Sequence, residues 1–413
     1  MKSLSRGALI SYGLFGLPLA LLALPIYVYV PQFYATHFEI SLALIGSTLL
    51  VARVLDAFFD PVFGMWIDKQ RGTSGYSRVI ALSIPLMAVG FVALFHPLTH
   101  IGTQPFIWFL GSLIVVYFGF SIASIAYQSW GAALDPSKSQ RSSITAVREA
   151  CGLIGVIIAA ALPAFTDISI LSFVFVLTLL IAAYFLLRHA PRPALAQGVG
   201  FSLNGLMQPL RNVRFRWLIA VFILNGIAAA IPATLFLFFT NDRLLLQQYA
   251  GVFLIVYFLA AALFMPLWVV LAKRHGEKKS WMIAMALAIL TFVWAYYLGP
   301  GDIGGYAVIC ILSGAALGAD LALPPALLAA VIGQAGHIGK YSGTYFGIWN
   351  WATKLNLALA AGIALPLLQW MGYRSGSNDA VGLHALAVGY ALLPCAFKLC
   401  ALIILWRAPL NHV

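Results

Sequence analysis

The sequence is poor in charge. Only 9% of its 413 residues are Asp, Glu, Lys or Arg, against roughly 25% in a soluble domain. So few charges cannot cover a water-facing surface, and the solvent for most of this chain is therefore lipid. Cysteine is scarce too. Cys151, Cys310, Cys395 and Cys400 lie in apolar runs without metal-ligand spacing, which marks them as small packing residues. Phosphate loops, HExxH, GxSxG and Cys/His metal patterns are missing. The sequence thus offers no enzyme constellation and no nucleotide site, and any transport draws on an ion gradient or is passive. The period-two alternation of a lipid-facing barrel is missing as well, which leaves helices as the spanning element.

Apolar residues make up 62% of the chain, in long runs. A spanning helix takes roughly 20 such residues. With a short loop for each helix, the length accommodates about twelve spans. The reading is an all-α integral membrane protein. Its spans include 10–32, 42–67, 305–332, 343–371 and 383–406. The opening MKSLSR and the run after it read as an uncleaved first helix.

The net charge is +12. Nucleic acid is not the expected partner, because the basic residues sit in short loops between spans. Nineteen of the 24 Lys and Arg fall in alternate loops that include both ends, and the opposite loops hold only Arg243 and Arg374. The positive-inside pattern puts both termini in the cytoplasm. A stretch rich in Pro, Gly and Arg at 189–215 separates two six-helix bundles, 1–188 and 216–413. It reads as a cytoplasmic linker with a short surface helix near Phe201–Leu210. The second span ends in GMWIDKQRG and the eighth in PLWVVLAKRHGEKK. Helices running into basic turns at matching places fit parallel repeats with a substrate site at their interface.

Ionisable groups are costly in a bilayer and usually face a cavity or each other. The richest cluster is VARVLDAFFDPVFGMWIDKQRG, Val51 to Gly72. Arg53, Asp56 and Asp60 share one helical face at spacings of three and four. Two close carboxylates repel when ionised, and a proton or Na+ relieves the repulsion. The pair is a candidate coupling-ion site; a structural ion pair to a neighbouring helix is the alternative. Pro61 lacks an N–H and is placed to free a carbonyl nearby. Asp68, with Lys69 and Arg71, lies at the cytoplasmic helix end and reads as a conformational latch. Arg148 and Glu149 enter span five as partners of these acids or as an interfacial pair. Arg53 and Glu149 join the latch candidates.

Asp320 stands in GADLALPPALLAA, where a helix broken at Pro324 and Pro325 and lining a cavity suits it. Lys354, in WNWATKLN, is placed to balance Asp320 or a first-half acid. Tyr127 and Trp349 neighbour the polar positions and are the preferred aromatic pocket residues, with packing or interfacial anchoring as the alternative.

The second-span segment resembles the signature of the glycoside–pentoside–hexuronide:cation symporter family of the major facilitator superfamily, best known through melibiose permease. Arg53, Asp56, Asp60, Pro61, Gly64 and Gly75 match its pattern. SYGLFG at Ser11–Gly16, Arg148, and SGTYFGIWNWATKL with Lys354 support it. The resemblance implies cation-binding roles for Asp56 and Asp60, and places Ser121 where sodium-coupled members carry a hydroxyl. It puts Arg148 and Lys354 near the substrate and ion sites. It also implies a bacterial plasma membrane. Departures are informative. Phe59 stands where sodium users place Asn, which favours protons over Na+. Ala20 and Ser124 stand where members of the melibiose type place carboxylates. The expected function is alternating-access symport of a small solute, of sugar or glycoside class, by a monomer, with H+ or Na+ as the coupling ion and no other cofactor. A lysolipid or other amphiphilic solute is the alternative, and a non-transporting membrane sensor is the alternative of another class.

Overall fold

The computed structural model describes residues 5–38, 42–70, 75–98, 105–134, 138–162, 167–192, 203–373 and 379–410. Among them the helices are α1 (Arg6–Gly13), α2 (Gly16–Phe38), α3 (Leu42–Asp68), α4 (Gly75–Phe95), α5 (Pro105–Leu134), α6 (Lys138–Ala161), α7 (Ile168–His189) and α8 (Leu203–Arg211). They continue with α9 (Val213–Phe238), α10 (Ala250–His275), α11 (Glu277–Phe292), α12 (Ile303–Gln334), α13 (Ser342–Trp370), α14 (Ala380–Ala387) and α15 (Leu393–Arg407).

Ten helical segments are long and apolar enough to cross a membrane. Helices α3 and α13, of 27 and 29 residues, also have the length to cross, and α3 carries Arg53, Asp56 and Asp60. The lipid environment shows on the helix faces: Val89, Phe173 and Leu263 are 64%, 65% and 68% exposed. Side chains of this kind exposed over so many helices mark a surface that meets hydrocarbon.

Several elements depart from the sequence reading. The first run is interrupted by a turn at 14–15, which separates α1 from α2. α12 runs unbroken through Pro324 and Pro325, where a break was expected. A proline removes one helical hydrogen bond, and in a membrane helix neighbouring groups compensate without a break. The last span is interrupted by a π-helical segment at Val388–Leu392, and α9 passes into another at Phe239–Arg243. A π-turn admits an extra residue and re-aims side chains. Here Phe239 and Tyr390 stack at 4.0 Å, and the Tyr390 hydroxyl lies 2.6 Å from that of Tyr306.

The chain divides into two compact units. The first comprises Met1–Leu210 and Ile332–Trp351, and the second Arg211–Val331 and Ala352–Val413. In the first unit α4 packs on α5 and α7, α2 on α6, and α3 on α5. In the second, α9 and α11 pack on α15, and α10 on α11. The segment 332–351 groups with residues far from it in sequence, and the start of α13 within it meets α3 at Gly64 and Asp68.

Candidate cation and solute site

Helix α3 organises the first unit's polar groups. Asp56 and Asp60 are both buried, Asp60 completely. The Ser121 hydroxyl of α5 donates to Asp56 Oδ1 at 2.7 Å. The hydroxyl and carboxylate singled out from sequence are therefore in direct contact, 65 residues apart in the chain. Asp60 is one turn further along the same face. Pro61 lies inside α3, and its missing N–H removes the helical donor of the Ala57 carbonyl, four residues back. Carboxylate, hydroxyl and released carbonyl oxygens are hard ligands of the kind that a proton or a small cation takes.

The crossing of α3 and α13 is made of glycines. A Cβ on Gly64 would sit 2.2 Å from the Gly343 carbonyl oxygen, and one on Gly347 would sit 2.5 Å from that of Asp60. Only glycine allows the two backbones this approach. At the end of α3, Asp68 Oδ1 accepts from the Gly343 N–H at 2.6 Å. Its Oδ2 accepts from the Thr344 N–H and hydroxyl, both at 2.7 Å. Asp68 is thus the N-cap of α13, supplied by another helix. It satisfies donors that the helix cannot satisfy itself, and its charge complements the positive end of the dipole.

Arg148 and Glu149 pair with each other: Arg148 Nε donates to Glu149 Oε1 at 2.9 Å. They are adjacent on α6, with the Tyr12 hydroxyl beside the guanidinium. Arg71 lies outside the described residues. Tyr127 packs at the junction of two helices. It is 1% exposed, its hydroxyl donates to the Tyr12 carbonyl at 2.6 Å, and Tyr12 returns the bond to Tyr127 at 3.0 Å. In this structure it knits α1 to α5. Trp349 is buried in the first unit, and Lys354 is partly buried further along α13, in the second.

Two residues absent from the sequence reading join Ser124. Gln128 Nε2 donates to Ser124 Oγ at 2.9 Å and to Asn350 Oδ1 at 3.1 Å, and Asn350 Nδ2 lies 3.3 Å from the same hydroxyl. Attention to ionisable groups alone missed this neutral cluster. The available signal was a side-chain amide within each of two membrane spans, which is costly unless paired. In the second unit the counter-ion of Asp320 is Lys398, at 2.7 Å, and not Lys354. Lys398 stands one span further along the sequence and was left unassigned.

Residues 11–412 match the family model described as MFS/sugar transport protein. The chain belongs to this family. It is a membrane transporter with the major facilitator fold. An isoprimeverose transporter of Lactiplantibacillus pentosus is 24% identical, covering 92% of this chain and 83% of the relative. A glucuronide carrier protein homolog of Escherichia coli (strain K12) is 24% identical, covering 92% and 87%. A sphingosine-1-phosphate transporter of Mus musculus is 23% identical, covering 89% and 81%. The crystal structure of the Escherichia coli fucose:proton symporter superposes with a TM-score of 0.71 at 16% identity, covering 97% of this chain and 98% of that one. That similarity is one of fold.

Proposed function

We propose that this MFS/sugar transport family member is a cation-coupled symporter of a small hydroxylated solute, of sugar or glycoside class, working by alternating access. The observation that carries the reading is the Ser121–Asp56 contact at 2.7 Å beside a fully buried Asp60. Binding of one cation lowers the repulsion between the two carboxylates. Phe59 supplies no ligand oxygen, and the coupling ion is a proton. Ser124, Arg148, Trp349 and Lys354 are the solute residues, with Tyr127 supporting them through its packing. The Ser124–Gln128–Asn350 cluster offers donors and acceptors in one place, as hydroxyl groups require. Asp68 is the latch that holds the start of α13 and releases it during the cycle; Arg53, Arg71 and Glu149 assist. The protein works as a monomer in a bacterial plasma membrane, with both termini cytoplasmic and without catalytic chemistry.

The supporting relatives carry isoprimeverose and, by name, glucuronides. A second reading, transport of an amphiphilic lipid-like solute, draws on the sphingosine-1-phosphate relative and on Ala20 and Ser124 at positions where sugar-binding carboxylates were expected. Uptake into proteoliposomes separates the two. Isoprimeverose, a glucuronide, fucose and a lysophospholipid are offered under an inward pH gradient, an inward Na+ gradient, or neither. Accumulation of a sugar under the pH gradient supports the first reading. Movement of the lysophospholipid alone supports the second, and a Na+ requirement refutes proton coupling.

A further inference from the structure

The second unit contains a buried charge cluster that none of the roles above uses. Lys398 of α15 places Nζ 2.7 Å from Asp320 Oδ2 on α12 and donates to Asn225 Oδ1 on α9 at 2.8 Å. Trp281 Nε1 of α11 donates to Asp320 Oδ1 at 2.7 Å. Four helices thus meet at one ion pair, and both carboxylate oxygens of Asp320 are satisfied. The side chains of Lys398 and Asp320 are 10% and 11% exposed.

The oxygens around the ammonium, one from a carboxylate and one from an amide, form the kind of set that a small monovalent cation would take. Here the cation is covalently attached, as the Lys398 side chain. We infer that Lys398 is a tethered cation that permanently loads Asp320, so that the pair clasps α9, α11, α12 and α15 and takes no part in ion exchange. Asp320 is then a positioning residue of the second unit, where the sequence reading placed it along a cavity. The inference depends on neither the solute nor the coupling ion.

Breaking a buried pair by removing one partner strands the other charge, whereas replacing both by neutral groups of similar size is tolerated. The test uses the full-length protein in detergent and follows its melting temperature. Lys398→Ala is expected to melt lower than the parent. n-Propylammonium, whose three carbons and head match the atoms removed, should restore part of the loss, and tetraethylammonium at equal ionic strength should not. Asp320→Asn combined with Lys398→Met should melt near the parent without any amine. It should also keep whatever shift in melting temperature Na+ or pH produces in the parent. If Lys398→Ala does not fold, the double variant still decides. Parent-like melting of Lys398→Ala without amine, equal rescue by both ammonium ions, or a double variant that fails to fold or loses the ion response would each overturn the inference.

Discussion

Asp68 closes one helix onto another through three hydrogen bonds from Gly343 and Thr344. Asp68→Ala strands the two backbone donors, and a lost N-cap costs about 1–2 kcal/mol. Thr344→Val removes only the hydroxyl bond and should cost about 1 kcal/mol. Thermal melts of the two variants check this order, and equal melting of Asp68→Ala and the parent would remove the cap from the account. The residues of α3 were legible because their spacing is local: Arg53, Asp56 and Asp60 share a face by helical geometry alone. Partners were less legible. The ligands of Asp68 are mainly backbone N–H groups some 275 residues away, which carry no side-chain signature. Lys354 was open to balance Asp320 or a first-half acid, and packing turns Lys398 of the last helix toward Asp320. Tyr127 was read from its polar neighbours, and its own hydroxyl bonds to the Tyr12 carbonyl.

At the scale of elements, the α3–α13 crossing rests on Gly64, Gly343 and Gly347. Gly64→Ala brings a methyl group to 2.2 Å from the Gly343 oxygen, and overpacking of this kind costs about 1–3 kcal/mol. Gly7→Ala in α1 meets nothing within 4 Å and should melt like the parent, so the pair of variants isolates the crossing. The turn between α12 and α13 holds His337, whose Nδ1 lies 3.0 Å from the Tyr345 hydroxyl. Burial first, and then the charge of Lys340, push the His337 pKa below its ordinary 6.5. As pH falls through 6.5 the unfolded chain takes up this proton before the folded one does. Stability from this group is therefore complete above that pH and declines below it. His337→Gln should flatten the fall in melting temperature below pH 6.5 relative to the parent, and an unchanged profile would assign the slope elsewhere. Helix number and placement were readable because a bilayer demands long apolar runs. The unbroken α12 and the two π-segments were not, since a proline or a π-turn resolves according to its neighbours.

For the whole molecule, the matched family and the fold establish a transporter, and the coupling ion decides what it does in a cell. A cation at Asp56, supported by Ser121 and Asp60, is proposed to drive accumulation. Carboxylate neutralisation separates driving from moving: Asp56→Asn mimics the loaded, uncharged state and has no charge left to carry. Ser121→Ala removes one hydrogen bond and should weaken coupling by less than Asp56→Asn does. The most direct measurement compares Asp56→Asn with the parent in the same proteoliposomes, using the solute found by the uptake screen. Gradient-driven accumulation and solute counterflow without a gradient are both recorded. The variant is expected to lose accumulation and to keep counterflow. Full accumulation by Asp56→Asn under the imposed gradient would contradict it.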